Sequence, residues 1–412
     1  MIVGLSEGAS SNSREVVQAS DILAKIERGE PVKYDGVIIE GDLNLSELDL
    51  PTEHVDRTEY EKSLGLAEEL KLVRSSINIT NSEIRGIVNF ENVIFMKSTI
   101  FWGDKFGVDA HFLGAKFGGV AHFGYAQFVG DAHFLGAEFG GVAYFLNAEF
   151  GGVANFLGAE FGDIAYFLGA EFGDIAYFGG AQFVGGAQFL DAEFGGVAFF
   201  LGAEFGDITY FGGAQFIGAA YFLDANFVGA TNFEYTDFER MYVRWGQIED
   251  VLVYNGEAYL TLVKNFKNIG YFEDADDCYY QYRREKQAMR GWSERAKYLD
   301  TLALFSCGYG VRPLNTLKVS VILILIFGGI FKIFNVLQVS PSHQIITFFL
   351  QDQEKPSLIE SLYFSMLVFL HAWPHPKLRP SGRWKYLVLL EDILGWLLLA
   401  LFLVTLGNVM IR

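Results

Sequence analysis

The side chains best suited to chemistry lie near the C-terminal end, in the stretch His371-Ala372-Trp373-Pro374-His375. Lys377 and Arg379 follow it directly. The two imidazoles could change charge near neutral pH, and the two cations could attract anions and repel cations. A simpler interpretation also fits, in which the histidines only pack or face solvent and the cations anchor the chain at lipid headgroups. These residues alone leave both interpretations open.

Two apolar segments flank this stretch and would have to position it. The first covers 316–338, and the second, Ile393–Ile411, contains 19 residues without a charge. Each is long enough to cross a bilayer. Between them, Leu358–Leu370 is apolar but too short to cross. A short helix between two spans predicts a loop that enters the membrane and returns, which is tolerated only where protein or water lines it.

The order of these segments resembles a known pore module. Leu362-Tyr363-Phe364-Ser365-Met366 and the later run from Glu391 to Leu406 are similar to two-span ion channels of the potassium-channel superfamily. The resemblance implies a structural hydrogen bond for Glu391, a hinge at Gly395, and inner-pore positions for Thr405 and Asn408. The last three could equally be helix-packing positions. The filter position, 371–375, contains no glycine, so potassium selectivity is not supported and the ion stays unassigned.

Upstream, phenylalanine recurs 28 times between Phe90 and Phe238, at alternating spacings of five and six residues. The unit is therefore an eleven-residue repeat, such as Ala-His-Phe-Leu-Gly-Ala-Glu-Phe-Gly-Gly-Val at 132–142. Gly-Gly pairs and β-branched residues argue against a helix, and a short fixed period predicts a solenoid. Two repeats per coil would place four Phe side chains inside, with glycine at the corners.

The repeat resembles the pentapeptide-repeat family, whose unit is Ala, a variable residue, Leu or Phe, and two more residues. It differs because every second unit here has six residues. The resemblance implies a right-handed, four-sided β-solenoid. Prokaryotic proteins that join such a rod to a two-span pore module are known, so the two resemblances together cover most of the chain.

Acidic residues follow the same period and should form columns on two faces of the rod. One column contains Glu138, Glu160 and Glu204, and the other contains Glu149, Glu171 and Glu193. The simplest interpretation is a solvated face that resists aggregation. The alternatives are concentration of cations near a pore and mimicry of nucleic-acid charge.

Composition narrows the function classes. The net charge is −19, and residues 79–238 carry 18 acidic and 4 basic side chains, or −14. No Lys or Arg lies between Phe117 and Phe238, so a nucleic-acid-binding surface is not expected. Cys278 and Cys307 have no metal-ligand spacing. Without a phosphate loop or a nucleophile–base pair, we expect no enzyme, no catalytic or metal site and no cofactor.

We predict four segments. Residues 1–75 form a cap with a helix over 14–30, a partial coil on Ile38, Leu43 and Leu48, and a charged insertion over 51–71. Residues 76–238 form the β-solenoid, 239–316 an α-helical connector, and 317–412 a two-span α-helical membrane domain with a pore loop. Within the connector, 259–275 predicts a helix–turn–helix with its turn at Gly270, and Cys307-Gly308-Tyr309-Gly310 predicts a turn.

The predicted function is an oligomeric ion channel, or channel-like membrane protein, with an acidic cytoplasmic solenoid. Two spans and one loop cannot enclose a pore alone, so we expect a homo-oligomer, a tetramer by symmetry. Its partners would be membrane lipid and ions, with a cytoplasmic protein as an open partner of the solenoid. Basic residues before the first span and the lack of a signal peptide at Met1–Ser20 place both termini in the cytoplasm. The alternative is a membrane-anchored scaffold whose pore module does not conduct.

Overall fold

The structure is a computed structural model that describes residues 14–292, 294–339, 355–372 and 378–410. Two compact units divide the chain, Met1–Cys278 and Tyr279–Arg412. The first is a parallel β-solenoid of about ten turns, followed by helices. The second unit contains two helices that are long and apolar enough to span a membrane. The predicted fold class is therefore confirmed.

One coil of the solenoid contains two eleven-residue repeats, as the sequence predicts. Phe117 pairs with Phe139, and Phe139 pairs with Phe161, in parallel register. Each coil has four short strands, one on each side, and each strand pairs with the strand twenty-two residues further along the chain. Every side chain therefore lies above its equivalent in the previous coil.

The strands form three sheets, of which the largest covers two adjacent sides of the solenoid. One nine-stranded sheet contains Thr52–His54, Glu69–Val73, Val93–Phe95, Lys116–Phe117, Glu138–Phe139, Glu160–Phe161, Gln182–Phe183, Glu204–Phe205 and Asn226–Phe227. The other contains Val32–Asp35, Ile77–Thr80, Thr99–Ile100, Ala121–His122, Ala143–Tyr144, Ala165–Tyr166, Ala187–Gln188, Thr209–Tyr210 and Thr231–Asn232. The 17-stranded sheet contains Val16–Gln18, Ile38–Glu40, Leu43–Asn44, Glu83–Ile84, Val88–Asn89, Lys105–Phe106, Ala110–His111, Gln127–Phe128, Ala132–His133, Glu149–Phe150, Ala154–Asn155, Glu171–Phe172, Ala176–Tyr177, Glu193–Phe194, Ala198–Phe199, Gln215–Tyr221 and Asp237–Tyr242.

The core consists of phenylalanine columns. Phe139 and Phe161 stack with ring centroids 4.8 Å apart and parallel planes. Neighbouring columns meet edge to face, as Phe134 and Phe145 do at 5.4 Å. Each pair of this kind contributes about 0.5–1.5 kcal/mol beyond its burial. The stack therefore stabilises the rod from Phe90 to Phe233, whereas aliphatic side chains such as Ile39 and Val73 fill the first coils.

The corners explain part of the glycine content. Every eleventh residue from Asn81 to Tyr235 has a positive φ. The residues are Asn81, Asn92, Gly103, Gly114, Tyr125, Gly136, Asn147, Gly158, Gly169, Gly180, Asp191, Gly202, Gly213, Asp224 and Tyr235. Glycine, Asn and Asp adopt this conformation most readily, and they occupy all of these corners except those at Tyr125 and Tyr235.

The N-terminal cap differs in detail from the prediction. The predicted helix over 14–30 is shorter, because Val16–Gln18 forms a strand that pairs with Ile38–Glu40, and helix α1 covers Ala19–Glu27. In the partial coil the buried residues are Ile39, Leu43 and Leu45 rather than Ile38 and Leu48. The five-residue spacing missed this register because adjacent strand residues face opposite sides. A 3₁₀ turn covers Leu45–Glu47, and helix α2 covers Glu59–Ser63.

Helices α3 (Trp245–Ile248), α4 (Gly256–Asn268) and α5 (Phe272–Met289) follow the last coil. Gly270, with a φ of 82°, makes the predicted turn between α4 and α5. The Asn265 side chain accepts a hydrogen bond from the Met241 N–H at 3.0 Å and donates one to its carbonyl at 2.7 Å. The amide therefore satisfies backbone groups at the open edge of the last coil. The boundary between the two units falls within α5.

The second unit continues with helix α6 (Arg295–Cys307) and a 3₁₀ turn over Gly308–Gly310, where the sequence predicts a turn. Helix α7 covers Pro313–Ile333, helix α8 Leu358–Phe369 and helix α9 Lys385–Met410. Strand Leu337–Val339 follows α7 and pairs with strand Leu378–Pro380, which follows α8 in the chain. A 3₁₀ turn over Gly382–Trp384 then precedes α9.

Candidate functional site

Helices α7 and α9 form the frame of the candidate site. At 21 and 26 residues they measure about 30 and 40 Å, enough to cross the hydrocarbon core of a bilayer. The strand after α7 pairs antiparallel with the strand before α9, with Gln338 opposite Arg379. The end of α7 and the start of α9 therefore lie at the same end of the unit, and the two helices run in opposite directions.

Helix α8 enters from this same end. The Lys332 ammonium, in the last turn of α7, donates to the Pro356 carbonyl at 2.7 Å. The Ser357 hydroxyl then accepts from the Glu360 N–H, and the Glu360 carboxylate accepts from the Ser357 N–H, so a complete capping box begins the helix. This pattern favours a helix start at this point.

Further along, α8 follows α7 in the opposite direction. Gly328 faces Leu362, where an added Cβ would lie 2.6 Å from the leucine side chain. The Ser365 hydroxyl oxygen lies 3.0 Å from the Ile324 carbonyl oxygen. Nine residues separate Ile324 from the end of α7 at Ile333, so Ser365 lies about 14 Å along α7 from its end.

The chain then returns to the end from which it entered. Gly395 of α9 packs against the Phe369 carbonyl, which would lie 2.2 Å from an added Cβ. The His371 Nδ1 and the Asp392 carboxylate are 2.7 Å apart. Leu378–Pro380 is again paired with the strand after α7. Pro356 and Leu378–Pro380 therefore lie at the same end of the two long helices.

A buried carboxylate connects α8 to α9. Glu391 is completely buried, and its Oε1 accepts a hydrogen bond from the Ser365 hydroxyl. Its Oε2 has no hydrogen-bond partner among the described residues. A lone carboxylate in an apolar helix is costly unless it is paired. Sequence reasoning expected a hydrogen bond for Glu391 but did not single out Ser365 as its donor.

The other proposed site residues divide into three groups. His371, Glu391 and Gly395 lie together around the inner end of α8, and exposed Ala372 follows His371. Thr405 is buried and bonds the Leu401 carbonyl at 2.7 Å, whereas Asn408 is exposed. Both lie ten or more residues beyond Gly395 on α9, about 15–20 Å away. Arg379 is exposed, and Trp373, Pro374, His375 and Lys377 lie outside the described residues.

Helix α6 has its polar side buried and its apolar side exposed. The buried Asp300 carboxylate pairs with Arg283 at 2.8 Å and also with Arg290. The Lys297 ammonium donates to the Arg290 carbonyl at 2.7 Å. The opposite stripe consists of exposed Tyr298, Leu299, Leu302 and Phe305. Helical spacing in the sequence could have identified this stripe, although not its exposure.

On the solenoid, the acidic columns occupy opposite sides of the coil. Glu138, Glu160, Gln182, Glu204 and Asn226 form the first acidic face, and Glu149, Glu171 and Glu193 form the second. Glu138 is paired with Arg57 and Lys116. Burial raises the pKa of Glu160, and the carboxylates of Glu138 and Glu61 add to the rise.

The two remaining sides carry aromatic columns. His122, Tyr144 and Tyr166 stack on one side, with ring centroids 4.8 and 5.2 Å apart. Tyr177, Phe199, Tyr221 and Tyr242 stack on the other. These rings face one another along the rod and present their edges outward, so the columns stabilise the stack and offer no flat ring surface to a ligand.

Comparison with known proteins bears on the solenoid. The family model described as Pentapeptide repeats (9 copies) matches residues 145–193 and 189–237. This part of the solenoid is similar to pentapeptide repeats. No curated protein and no solved structure matches the chain. The matched residues all lie in the first unit, so the comparison supports the repeat rod and does not extend to helices α6–α9.

Proposed function

We propose that the chain is a subunit of a homo-oligomeric, ion-conducting membrane protein with a cytoplasmic acidic solenoid. The single observation that carries this proposal is that residues 356–372 enter between two spanning-length helices, while residues 378–380 lie at the end from which they enter. Helix α8, with 12 residues, is about 18 Å long and cannot cross a bilayer. A segment of this shape is stable in a membrane only where protein or water surrounds it.

The uncovered surface of α8 supports an oligomer. Ile359 is 78% exposed, and Tyr363, Met366 and Leu370 are also exposed, whereas Phe364 and Val368 are buried against α7 and α9. One face of the short helix is therefore packed within the chain and another is apolar and open. Neighbouring subunits arranged around an axis would cover the open face and enclose a water-filled path. A closed ring of four chains, the number that the resemblance to two-span channels suggests, is an assembly of this kind.

The membrane orientation follows from α6. Its exposed apolar stripe shares the helix with exposed Arg295, and Arg312 follows in the chain just before α7 begins at Pro313. An exposed apolar stripe next to a spanning-length helix is suited to contact with the membrane surface, and the positive-inside rule supports a cytoplasmic side for it. Both termini and the solenoid are then cytoplasmic, whereas Arg379 and the paired strands lie at the outer end.

The test is ion flux through the full-length protein reconstituted in liposomes, with reversal potentials measured under swapped cation and anion gradients. We expect conductance above that of protein-free vesicles. Arg379→Glu should shift the reversal potential toward that of cations, because it inverts a charge at the outer mouth. Arg379→Lys is the matched control and should leave it unchanged.

Two results would overturn the proposal. One is flux at background for all ions between pH 5 and pH 9, from protein that native mass measurement shows to be assembled. The other is a purified protein that stays a monomer in detergent and in nanodiscs. The first result would favour a membrane-anchored scaffold whose solenoid binds a partner.

A further inference from the structure

One edge of the solenoid carries a strip without side chains. Gly114, Gly136, Gly158, Gly180 and Gly202 occupy the same corner of five successive coils, with φ between 59° and 63°. We call these residues the glycine strip. Because each lacks a Cβ, the strip is a shallow groove that runs along the rod, next to the first acidic face.

The chain itself fills most of this groove. Residues 55–68, which contain α2 and are called the strap below, lie along the strip. An added Cβ would meet the Leu66 side chain at Gly136 (2.4 Å), Leu64 at Gly158 (2.9 Å) and the Tyr60 hydroxyl at Gly180 (2.7 Å). At Gly202 an added Cβ meets none of the described residues within 4 Å. The strap therefore covers the strip as far as Gly180 and leaves its last position open.

An arginine attaches the strap to the acidic face. The Arg57 side chain is completely buried, and its Nη1 lies 2.7 Å from both the Glu61 and the Glu138 carboxylates. Its Nε donates to the Ala67 carbonyl at 3.2 Å. The strap is therefore held in two ways. Arg57 forms an ion pair with Glu138, and aliphatic and aromatic side chains of the strap pack against the glycine strip.

The sequence around Gly202, which the strap does not cover, is identical to the sequence around Gly136, which the strap covers. Leu135-Gly136-Ala137-Glu138 lies under the strap, and the identical tetrad Leu201-Gly202-Ala203-Glu204 lies three coils further along the same edge. Leu201 is 42% exposed. Glu204 makes no ion pair with any residue that the structure describes. Local sequence and coil geometry are therefore the same at both tetrads, and only the covering segment is missing at the second.

A cavity continues the groove on the next coil. It measures about 530 Å³, and its lining includes Leu223, Asp224, Asn226, Gln247 and Asp250. Asp224 and Asp250 form no ion pair in the described parts of the chain. The guanidinium in the lining, Arg244, is paired with Asp274 at 2.9 Å. A pocket of this volume accommodates a ligand side chain, and its free charges are negative.

We propose that the open tetrad and this cavity bind a peptide segment of a partner protein that presents an arginine together with leucine or tyrosine side chains on one helical face. The arginine pairs with Glu204 as Arg57 does with Glu138. An apolar side chain covers Gly202 as Leu64 covers Gly158. A second basic side chain enters the cavity beside Asp224 and Asp250. Charge complementarity favours such a segment, since no Lys or Arg lies between Phe117 and Phe238.

The test uses the full-length protein in detergent and a fluorescein-labelled peptide. The probe has the sequence of residues 55–68 with Glu59→Arg and Glu68→Arg, which makes it basic and keeps Arg57, Tyr60 and Leu64 in place. Binding is measured by fluorescence anisotropy, with a permuted peptide of the same composition as control. Glu204→Gln should weaken binding about two- to fivefold, as expected for a surface ion pair, and Leu201→Ser should weaken it to a similar extent.

Glu171→Gln is the matched control variant. Glu171 ends an identical tetrad, Leu168-Gly169-Ala170-Glu171, on another edge. There the Asn147 side chain already lies 2.3 Å from an added Cβ on Gly169, so binding should be unchanged. Equal weakening by Glu171→Gln and Glu204→Gln, or equal binding of the permuted peptide, would reduce the interaction to general charge attraction and overturn the proposal. Self-association of the protein that Leu201→Ser abolishes would assign the groove to a second copy and overturn it as well.

Discussion

Asp104 lies inside the solenoid at a position that should make the rod sensitive to pH. Its column continues with Ala126 and Ala148, yet Asp104 itself is completely buried. Its Oδ1 accepts a hydrogen bond from the Ser82 N–H at 2.7 Å, and its Oδ2 has no partner among the described residues. Burial raises the pKa of Asp104 to about 8, and the Asp35 carboxylate adds to the rise.

The direction of the effect follows from linkage. The unfolded chain releases this proton near pH 3.9, whereas the folded chain holds it up to about pH 8. The folded state therefore binds more protons between these values, and stability falls as pH rises through them. Integrating the linkage relation between pH 6 and pH 9 yields a loss of about 2–3 kcal/mol. Asp104→Asn keeps the oxygen that accepts from Ser82 but cannot ionise, so it should not show this loss.

The assay is peptide-resolved hydrogen–deuterium exchange of the full-length protein in detergent, corrected for the intrinsic pH dependence of exchange. Opening of the coil around residues 99–106 should become easier with pH in the native protein and change little in Asp104→Asn. Asp131→Asn is the control, because Asp131 also accepts one backbone N–H, at 2.9 Å, but lies at a corner of the coil. Parallel curves for the native protein and Asp104→Asn from pH 6 to pH 9 would refute the reasoning.

Two further predictions concern the strip and the membrane unit. In thermal melts, Gly136→Ala should destabilise the solenoid by about 1–3 kcal/mol more than Gly202→Ala. Both positions have positive φ, but only the Cβ added at Gly136 overlaps the Leu66 side chain. Equal losses of stability would show that the strap does not pack against Gly136. Ser365→Ala removes the hydrogen-bond donor to the buried carboxylate on α9 and should cost about 1–3 kcal/mol in detergent unfolding of the helices. Ser361→Ala should cost much less, because the Ser361 hydroxyl has no partner among the described residues, and a reversed order would contradict the assignment.

The phenylalanine spacing predicted the coil because each coil places equivalent residues in the same environment. Each Phe of the ladder from Phe95 to Phe211 meets an equivalent ring on the next coil, so a five–six spacing is readable without any long-range information. The same holds for the acidic columns. Single residues that differ from the repeat were harder to identify. Asp104 stands where the following coils have Ala126 and Ala148, and only an alignment of the repeats coil by coil would have singled it out.

Contacts between distant parts of the chain escaped sequence reasoning. The insertion over 51–71 breaks the rhythm, and nothing in its composition shows that Arg57 pairs with Glu138, 81 residues away. In the second unit, the apolar runs predicted helices α7 to α9, and the resemblance suggested a hydrogen bond for Glu391. The donor Ser365, the Lys332–Pro356 contact and the exposed stripe of α6 depend on how the helices pack.

By itself, the sequence determined the eleven-residue period, the two-repeat coil, the acidic columns and the two spanning-length helices. These are local or periodic properties, decided by residue type and spacing alone. Only the tertiary structure decided that residues 55–68 cover four glycines but not Gly202, and that Pro356 and Leu378–Pro380 lie at the same end of α7 and α9. Both depend on non-local contacts, because a segment that breaks the period can lie anywhere its side chains find complementary partners.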